Sequence, residues 1–174
     1  MFEIITRLFP QKFQNHFNKL ILYARLHVNK NTFLGFFTFL ILIISFNLAI
    51  PLSFLFHVNF FLVFLVSLLV LSLSFYFILS LKADSVGTFV ENVLPDALQL
   101  MTSNLRAGLT TDNALLLSAR PEFGVLSDEL NTVGKKLALG GDIVASLVEF
   151  SNHIKSEKLK KTIMLIVSVL QSGG

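Results

Sequence analysis

Between Thr32 and Leu81 the chain carries no Lys, Arg, Asp or Glu. A helix built from such a stretch has no wet face to turn outward, so it belongs in lipid or in the centre of a much larger protein. One crossing of a bilayer takes about 20 apolar residues, and Phe33–Leu81 has the length for two. The break between them falls where Pro51 is followed by the polar side chains of His57 and Asn59. The expectation is two antiparallel helices, Phe33–Phe56 and Phe60–Leu81, joined by a very short loop. Ser45, Ser53, Ser67, Ser72 and Ser74 lie inside them and are expected to return their hydroxyls to backbone carbonyls, which lowers the cost of burying them.

Charge on either side orients these helices. Residues 1–32 hold Arg7, Lys12, Lys19, Arg25 and Lys30 against Glu3 alone, and Lys82 follows the second helix. The positive-inside rule then places both ends of the chain in the cytoplasm, and the localisation expected is a multi-pass cell membrane protein. A signal peptide would have a shorter basic region, a shorter apolar region and a small-x-small cleavage pattern after it. Within residues 1–32, Phe13, Phe17, Leu20, Ile21, Ala24 and Val28 recur at spacings of three and four, giving a basic amphipathic arm. Two placements suit it: along the inner membrane surface, or against the cytoplasmic domain.

Composition narrows the chemistry. The 174 residues are 53% hydrophobic and 14% charged, against about 25% charged in ordinary soluble domains. The absence of Cys excludes a disulfide scaffold, a thiolate metal site and a cysteine nucleophile. There is neither a Gly-x-x-x-x-Gly-Lys-Ser/Thr loop nor a Gly-x-Gly-x-x-Gly turn, so any nucleotide is handled by a partner. His16, His27, His57 and His153 lack ligand-like spacing. No enzyme, cofactor or metal is expected.

From Lys82 onward the pattern is that of short helices. Val90, Leu94, Ala97, Leu98, Met101 and Leu105 make one apolar stripe ended by Gly108, with Pro95 inside it as a helix start or kink. Thr110 and Thr111 cap a second helix through Ala114 and Leu117, which Pro121 stops. Leu126, Leu130, Val133 and Leu137 carry a third to Gly140-Gly141. Asp142 caps a fourth through Ile143, Leu147, Phe150 and Ile154, and Ser156 a fifth through Leu159, Ile163, Ile166 and Leu170. No alternating run supports a sheet. The expected fold class is an all-α membrane protein, a two-helix transmembrane hairpin followed at residues 82–174 by a cytoplasmic antiparallel helical bundle.

Several short motifs in this second region carry a resemblance. Leu94-Pro95-Asp96-Ala97-Leu98 is followed by Leu105-Arg106-Ala107-Gly108-Leu109 with Ala114-Leu115, then by Arg120-Pro121-Glu122-Phe123-Gly124. Leu139-Gly140, Ser156-Glu157-Lys158-Leu159 and Gln171-Ser172-Gly173-Gly174 continue the series. In order and spacing, Leu94–Gly174 resembles the type II secretion system F domain, and more closely its archaeal and tight-adherence-pilus branch.

The resemblance implies a non-catalytic membrane platform beneath a type IV filament, an archaellum, an archaeal pilus or a related secretion machine. Its implied partners are membrane lipid, a cytoplasmic hexameric ATPase of the secretion type and pilin-like subunits. Family members continue with another helix and further spans, so the expectation is a domain incomplete at its C-terminal end, in a fragment or a split gene. The competing function is a membrane-anchored helical adaptor or receptor for another cytoplasmic protein. Self-association follows from the phenylalanine-rich spans, and nucleic acid is not expected because the second region is slightly acidic.

Candidate contact residues fall in two groups. Arg106, Arg120 and Glu122 stand by the helix turns that carry the resemblance, where they either meet a partner or cap helix ends. Lys155, Lys158, Lys160 and Lys161 form a basic cluster. It is either a solvated helix face balanced by Glu157, or a surface for an acidic patch on the ATPase or for inner-leaflet phospholipid. Gly108, Gly124 and Gly140 are expected to make sharp turns, and most acidic residues from Glu91 to Glu157 to sit on wet faces.

Overall fold

A computed structural model of the chain describes residues 11–25, 30–57 and 59–172, all of it helix, turn and loop without strand. The side chains of Lys12, Phe13, His16 and Lys30, and the residues Arg7, His27, Val28, Gly173 and Gly174, lie outside this description. The seven α-helices among the described residues are α1 (Gln11–Tyr23), α2 (Lys30–Phe56), α3 (Phe60–Arg106), α4 (Thr111–Ser118), α5 (Val125–Ala138), α6 (Ile143–Asn152) and α7 (Glu157–Gln171). A single 3₁₀ turn, Pro121–Phe123, stands between α4 and α5. The chain divides into two compact units, Met1–Lys82 and Ala83–Gly174.

In the first unit α2 and α3 are both long and apolar enough to cross a membrane. Only 22% of the apolar window of α2 and 6% of that of α3 is buried, whereas the core helix of a soluble protein is mostly covered. Phe54, Leu55, Phe61, Phe77 and Ile78 are all exposed. Two of the positions that α2 covers completely are small: Ser45 and Ala49 have no exposed surface. Phe37 stacks on Phe75 with ring centroids 4.3 Å apart, Ser45 meets Ser67, and Phe46 meets Phe60 and Phe64 edge-on. Residues later in α2 therefore meet residues earlier in α3, the order of helices running in opposite directions.

Ser53, Ser67 and Ser72 donate to the carbonyl three residues back in their own helices. Ser45 departs from that pattern. Its hydroxyl lies 2.6 Å from that of Ser67 and donates across to the Phe64 carbonyl at 3.1 Å. Among apolar neighbours that bond is directional in a way that packing is not, and it fixes which residues of α2 and α3 face each other.

The described part of the arm packs on the first unit's own long helices. Phe17, Leu20, Ile21 and Ala24 are buried, and the Phe17 ring stacks on Phe75 with centroids 5.7 Å apart. Phe75 already contacts Phe33 and Phe37, so α1 joins an aromatic cluster formed by α2 and α3. Such a cluster gains from ring geometry as well as from buried area, and it lies within reach of the arm.

The second unit is organised around one apolar core. Val90, Leu94 and Ala97 of α3 meet Leu115, Phe123, Leu126, Leu130, Val133, Leu147, Phe150, Ile154, Leu159, Ile163 and Val167. Pro95 does not start a helix. It lies inside α3, where its ring replaces an N–H that would bond the Glu91 carbonyl. Flanking Leu94 and Ala97 are 4% and 3% exposed, and their burial holds the helix together through a residue that costs about 3 kcal/mol in an isolated one.

Candidate functional site

The two glycines at helix ends have matched geometry. Gly108 (φ 86°) donates to the Leu105 carbonyl while Leu109 donates to Asn104. Gly140 (φ 84°) donates to Leu137 while Gly141 donates to Lys136. Both are Schellman ends, in which a left-handed residue lets two successive N–H groups close the last turn. A Cβ at either glycine would meet open space, so conformation alone selects the residue. Gly124 has φ 49°, and a Cβ there would also press on the Phe89 ring at 3.2 Å.

Arg106 is exposed in the last turn of α3, favourable to the helix macrodipole, and is not part of a shared site with the other candidates. Arg120 and Glu122 do come together. Their side chains approach to 3.5 Å at the edge of an open cleft of about 480 Å³. The opposite wall is one face of α3, presenting Asp96, Gln99 and Ser103 with Val93 and Leu100 at the floor. Both members of the ion pair are more than half exposed, so it holds little energy and either side chain is available to a partner.

The lysine cluster occupies a different place, against the first turns of the second unit. The backbone at Lys155 and Ser156 packs so closely on α3 that a Cβ at Gly87 would collide with the Lys155 carbonyl. Lys155 Nζ reaches Asp84 Oδ1 at 2.7 Å, and Ser156 Oγ donates to Glu91 Oε1 at 2.6 Å. The same Ser156 oxygen accepts from the Leu159 N–H and so caps α7. Lys158, Lys160 and Lys161 are exposed on the first turns of α7.

Asp142 caps α6 by accepting from the Val144 N–H at 2.8 Å. At α4 the capping differs from expectation. Thr110 occupies the N-cap position without capping the backbone, and its hydroxyl instead serves Asn113 and Asp112. That hydroxyl, followed by the backbone N–H groups of Asn113 and Asp112 itself, holds the Asp112 carboxyl below its ordinary pKa.

Two polar seams inside the unit escaped the sequence reading. Asn104 donates to Ser118, which is fully buried and donates in turn to the Ala114 carbonyl, tying α3 to α4. Glu129, expected on a wet face, is 6% exposed and sits 3.1 Å from His153 Nδ1, joining α5 to the end of α6. Lys136 reaches Glu149 at 2.7 Å beside it and, by that hydrogen bond and then by its charge, lowers the Glu149 pKa. Glycine inside a helical pattern was the one available signal for a third omission. Gly134 lets α5 approach α4, since a Cβ there would lie 2.7 Å from the Leu116 side chain.

No three His, Asp or Glu side chains among the described residues converge as metal ligands would. The arrangement offers surfaces: a mixed-charge cleft at Arg120 and Glu122, and a separate lysine-bearing turn. No protein-family model matches the chain, and no curated protein and no solved structure is significantly similar to it.

Proposed function

We propose that the chain is part of a non-catalytic membrane platform. In this reading α2 and α3 form a transmembrane hairpin with both flanking regions in the cytoplasm, and the second unit is docked by a hexameric ATPase that drives assembly or export of pilin-like subunits. The observation that carries the reading is α3 itself: one 47-residue helix holds the apolar stretch and also contributes Val90, Leu94 and Ala97 to the core of the second unit. Movement imposed on that unit by a partner has a continuous helix to act on, and the task requires no chemistry from this chain. The resemblance at Leu94–Gly174, with Schellman turns at Gly108 and Gly140, supports the same reading. Self-association belongs to it too, because the phenylalanines exposed on α2 and α3 suit another span as well as lipid.

Two experiments test it. Extracted in mild detergent, the full chain is expected to retain a secretion-type hexameric ATPase, and charge reversal at Arg120 and Glu122 to weaken that retention. Purification free of any such ATPase across several detergents overturns the platform and leaves the anchored adaptor. Since the chain has no cysteine, a single one at Asn59 reports topology cleanly. It is expected to react with an impermeant thiol reagent from outside, and one at Asp112 is not.

A further inference from the structure

The α6–α7 turn, which carries Lys155 and leads into the lysines of the first turns of α7, is held at a defined height along α3. Asp84, Gly87 and Glu91 make three separate contacts with Lys155 and Ser156: an ion pair, a backbone approach that only glycine permits, and a hydrogen bond. These three α3 residues follow Lys82, the first charged residue after the apolar stretch, by at most about 14 Å of helical rise. If α3 crosses the bilayer as proposed above, its emerging turns pass through a headgroup layer roughly 5–7 Å deep on each side. The turn clamped to them is therefore a membrane-proximal element by connectivity.

Its exposed charge is of the matching sign. Lys155 is engaged with Asp84, but Lys158, Lys160 and Lys161 pair with no carboxylate among the described residues. Glu157 is the one acidic side chain interspersed with them. A lysine chain is long and flexible enough to bring its ammonium to a phosphate while its own helix stays above the surface. At physiological salt, charges within about 8 Å of an anionic leaflet still feel it.

We infer that Lys158, Lys160 and Lys161 form a pad for anionic phospholipid headgroups, positioned over the leaflet by the Gly87–Lys155 contact. The inference rests on the membrane-spanning reading of α3. It assigns the cluster to lipid and leaves the Arg120–Glu122 cleft as the surface for a protein partner. The number of lysines sets the expected size, since each contributes about five-fold to partitioning on an anionic surface.

The test uses the full chain in nanodiscs, with a fluorophore on a single cysteine at Asn152, an exposed residue next to the turn. Quenching is compared between headgroup spin-labelled phosphatidylserine and phosphatidylcholine, each at a few per cent of total lipid. The serine probe is expected to quench several-fold more strongly, the preference to fall as salt rises, and a K158Q/K160Q/K161Q variant to lose it. The matching lysine-to-arginine variant is expected to keep it. Equal quenching by the two probes, or a preference unchanged in the glutamine variant, overturns the pad. If the glutamine variant leaves lipid preference unchanged but loses ATPase retention, the lysines serve a protein instead. A second fluorophore at Val66 separates this failure from that of the parent reading. Acyl-chain-brominated lipid quenches it whenever α3 is inserted, and absence of that quenching overturns both.

Discussion

The two units of this chain are built from the same kind of helix and solve opposite solvent problems. In Met1–Lys82 many large apolar side chains of the two long helices, Phe54, Phe61 and Phe77 among them, are exposed, and positions those helices cover completely include Ser45 and Ala49. In Ala83–Gly174 a core of large apolar side chains is inside, Leu115, Leu126 and Leu159 among them, and Lys158, Lys160 and Lys161 are outside. The first arrangement gains little from removing apolar surface from its surroundings if those surroundings are lipid, so it relies on close approach and hydrogen bonds between helices. The second relies on removing apolar surface from water. One long helix, α3, obeys the first rule up to Leu81 and the second from Ala83 on.

The largest expected effect puts that contrast to a direct test with one substitution in each unit. Leu126→Ala removes a side chain with no exposed surface and is expected to cost about 2–5 kcal/mol. Leu73→Ala, at a residue 59% exposed on the apolar part of α3, is expected to cost under about 1 kcal/mol in lipid. Equilibrium unfolding of the reconstituted chain measures both. Equal costs would mean that the first unit buries its leucines against a partner, and the contrast would fail.

Next in size is Gly87→Ala. Its Cβ would strike backbone, which cannot rotate away as a side chain can, so the α6–α7 turn must shift off α3. The expected loss is about 1–3 kcal/mol, accompanied by faster hydrogen exchange at the Leu159 N–H as the Ser156 cap is disturbed. Gly108→Ala meets no atoms and is expected to cost about 1–2 kcal/mol, from the left-handed backbone alone, with exchange at Leu159 unchanged. A smaller loss at position 87 than at 108 would show that the turn is looser than its three contacts imply.

The first unit is sharpened by its serines. Ser45→Ala removes a bond between α2 and α3 and is expected to destabilise their pairing by about 0.6 kcal/mol, up to about 1.7. Ser72→Ala removes only a bond within its own helix and is expected to be nearly silent. A steric-trap measurement in bicelles resolves the difference. Indistinguishable variants would leave packing alone to hold the pair.

These positions show what was legible beforehand. Asp142 and Ser156 announced their caps because a helix start needs a side-chain acceptor next to an apolar repeat, and both are local features. Gly108 and Gly140 were readable for the same reason. What stayed hidden depends on residues far apart in sequence. Gly87 is constrained by Lys155, Ser118 by Asn104 and Glu129 by His153, and no local pattern encodes those meetings. At Pro95 the local preference allowed a start or a kink, and the helix runs on through it with Leu94 and Ala97 buried beside it. The arm's amphipathic pattern specified that one face is covered and left open that Phe75 is among the residues that cover it. The candidate cleft was half visible: Arg120 and Glu122 were identified, but Asp96, Gln99 and Ser103 face them only through the fold.

The smallest effect lies on the wet side of the second unit and tests whether its surface charge contributes at all. Lys136 lowers the Glu149 pKa by a hydrogen bond first and by its charge second. A carboxylate whose folded pKa lies below its unfolded value adds stability above the unfolded value, near pH 4.5 for an ordinary glutamate, and that stability fades as pH falls through the folded one. Below both values nothing is left of it. Acid titration of the unfolding midpoint is therefore expected to show a slight loss of stability at the acid side of the glutamate range. Lys136→Gln is expected to flatten that part of the curve and to lower the plateau near neutrality by the same slight amount, since the two are one contribution. Lys136 also ties α5 to α6 beside the Glu129–His153 contact, so the variant asks which bond matters there. An unchanged acid limb would assign the joint to the buried pair, and the surface of this unit would then be free to serve partners at no cost to its fold.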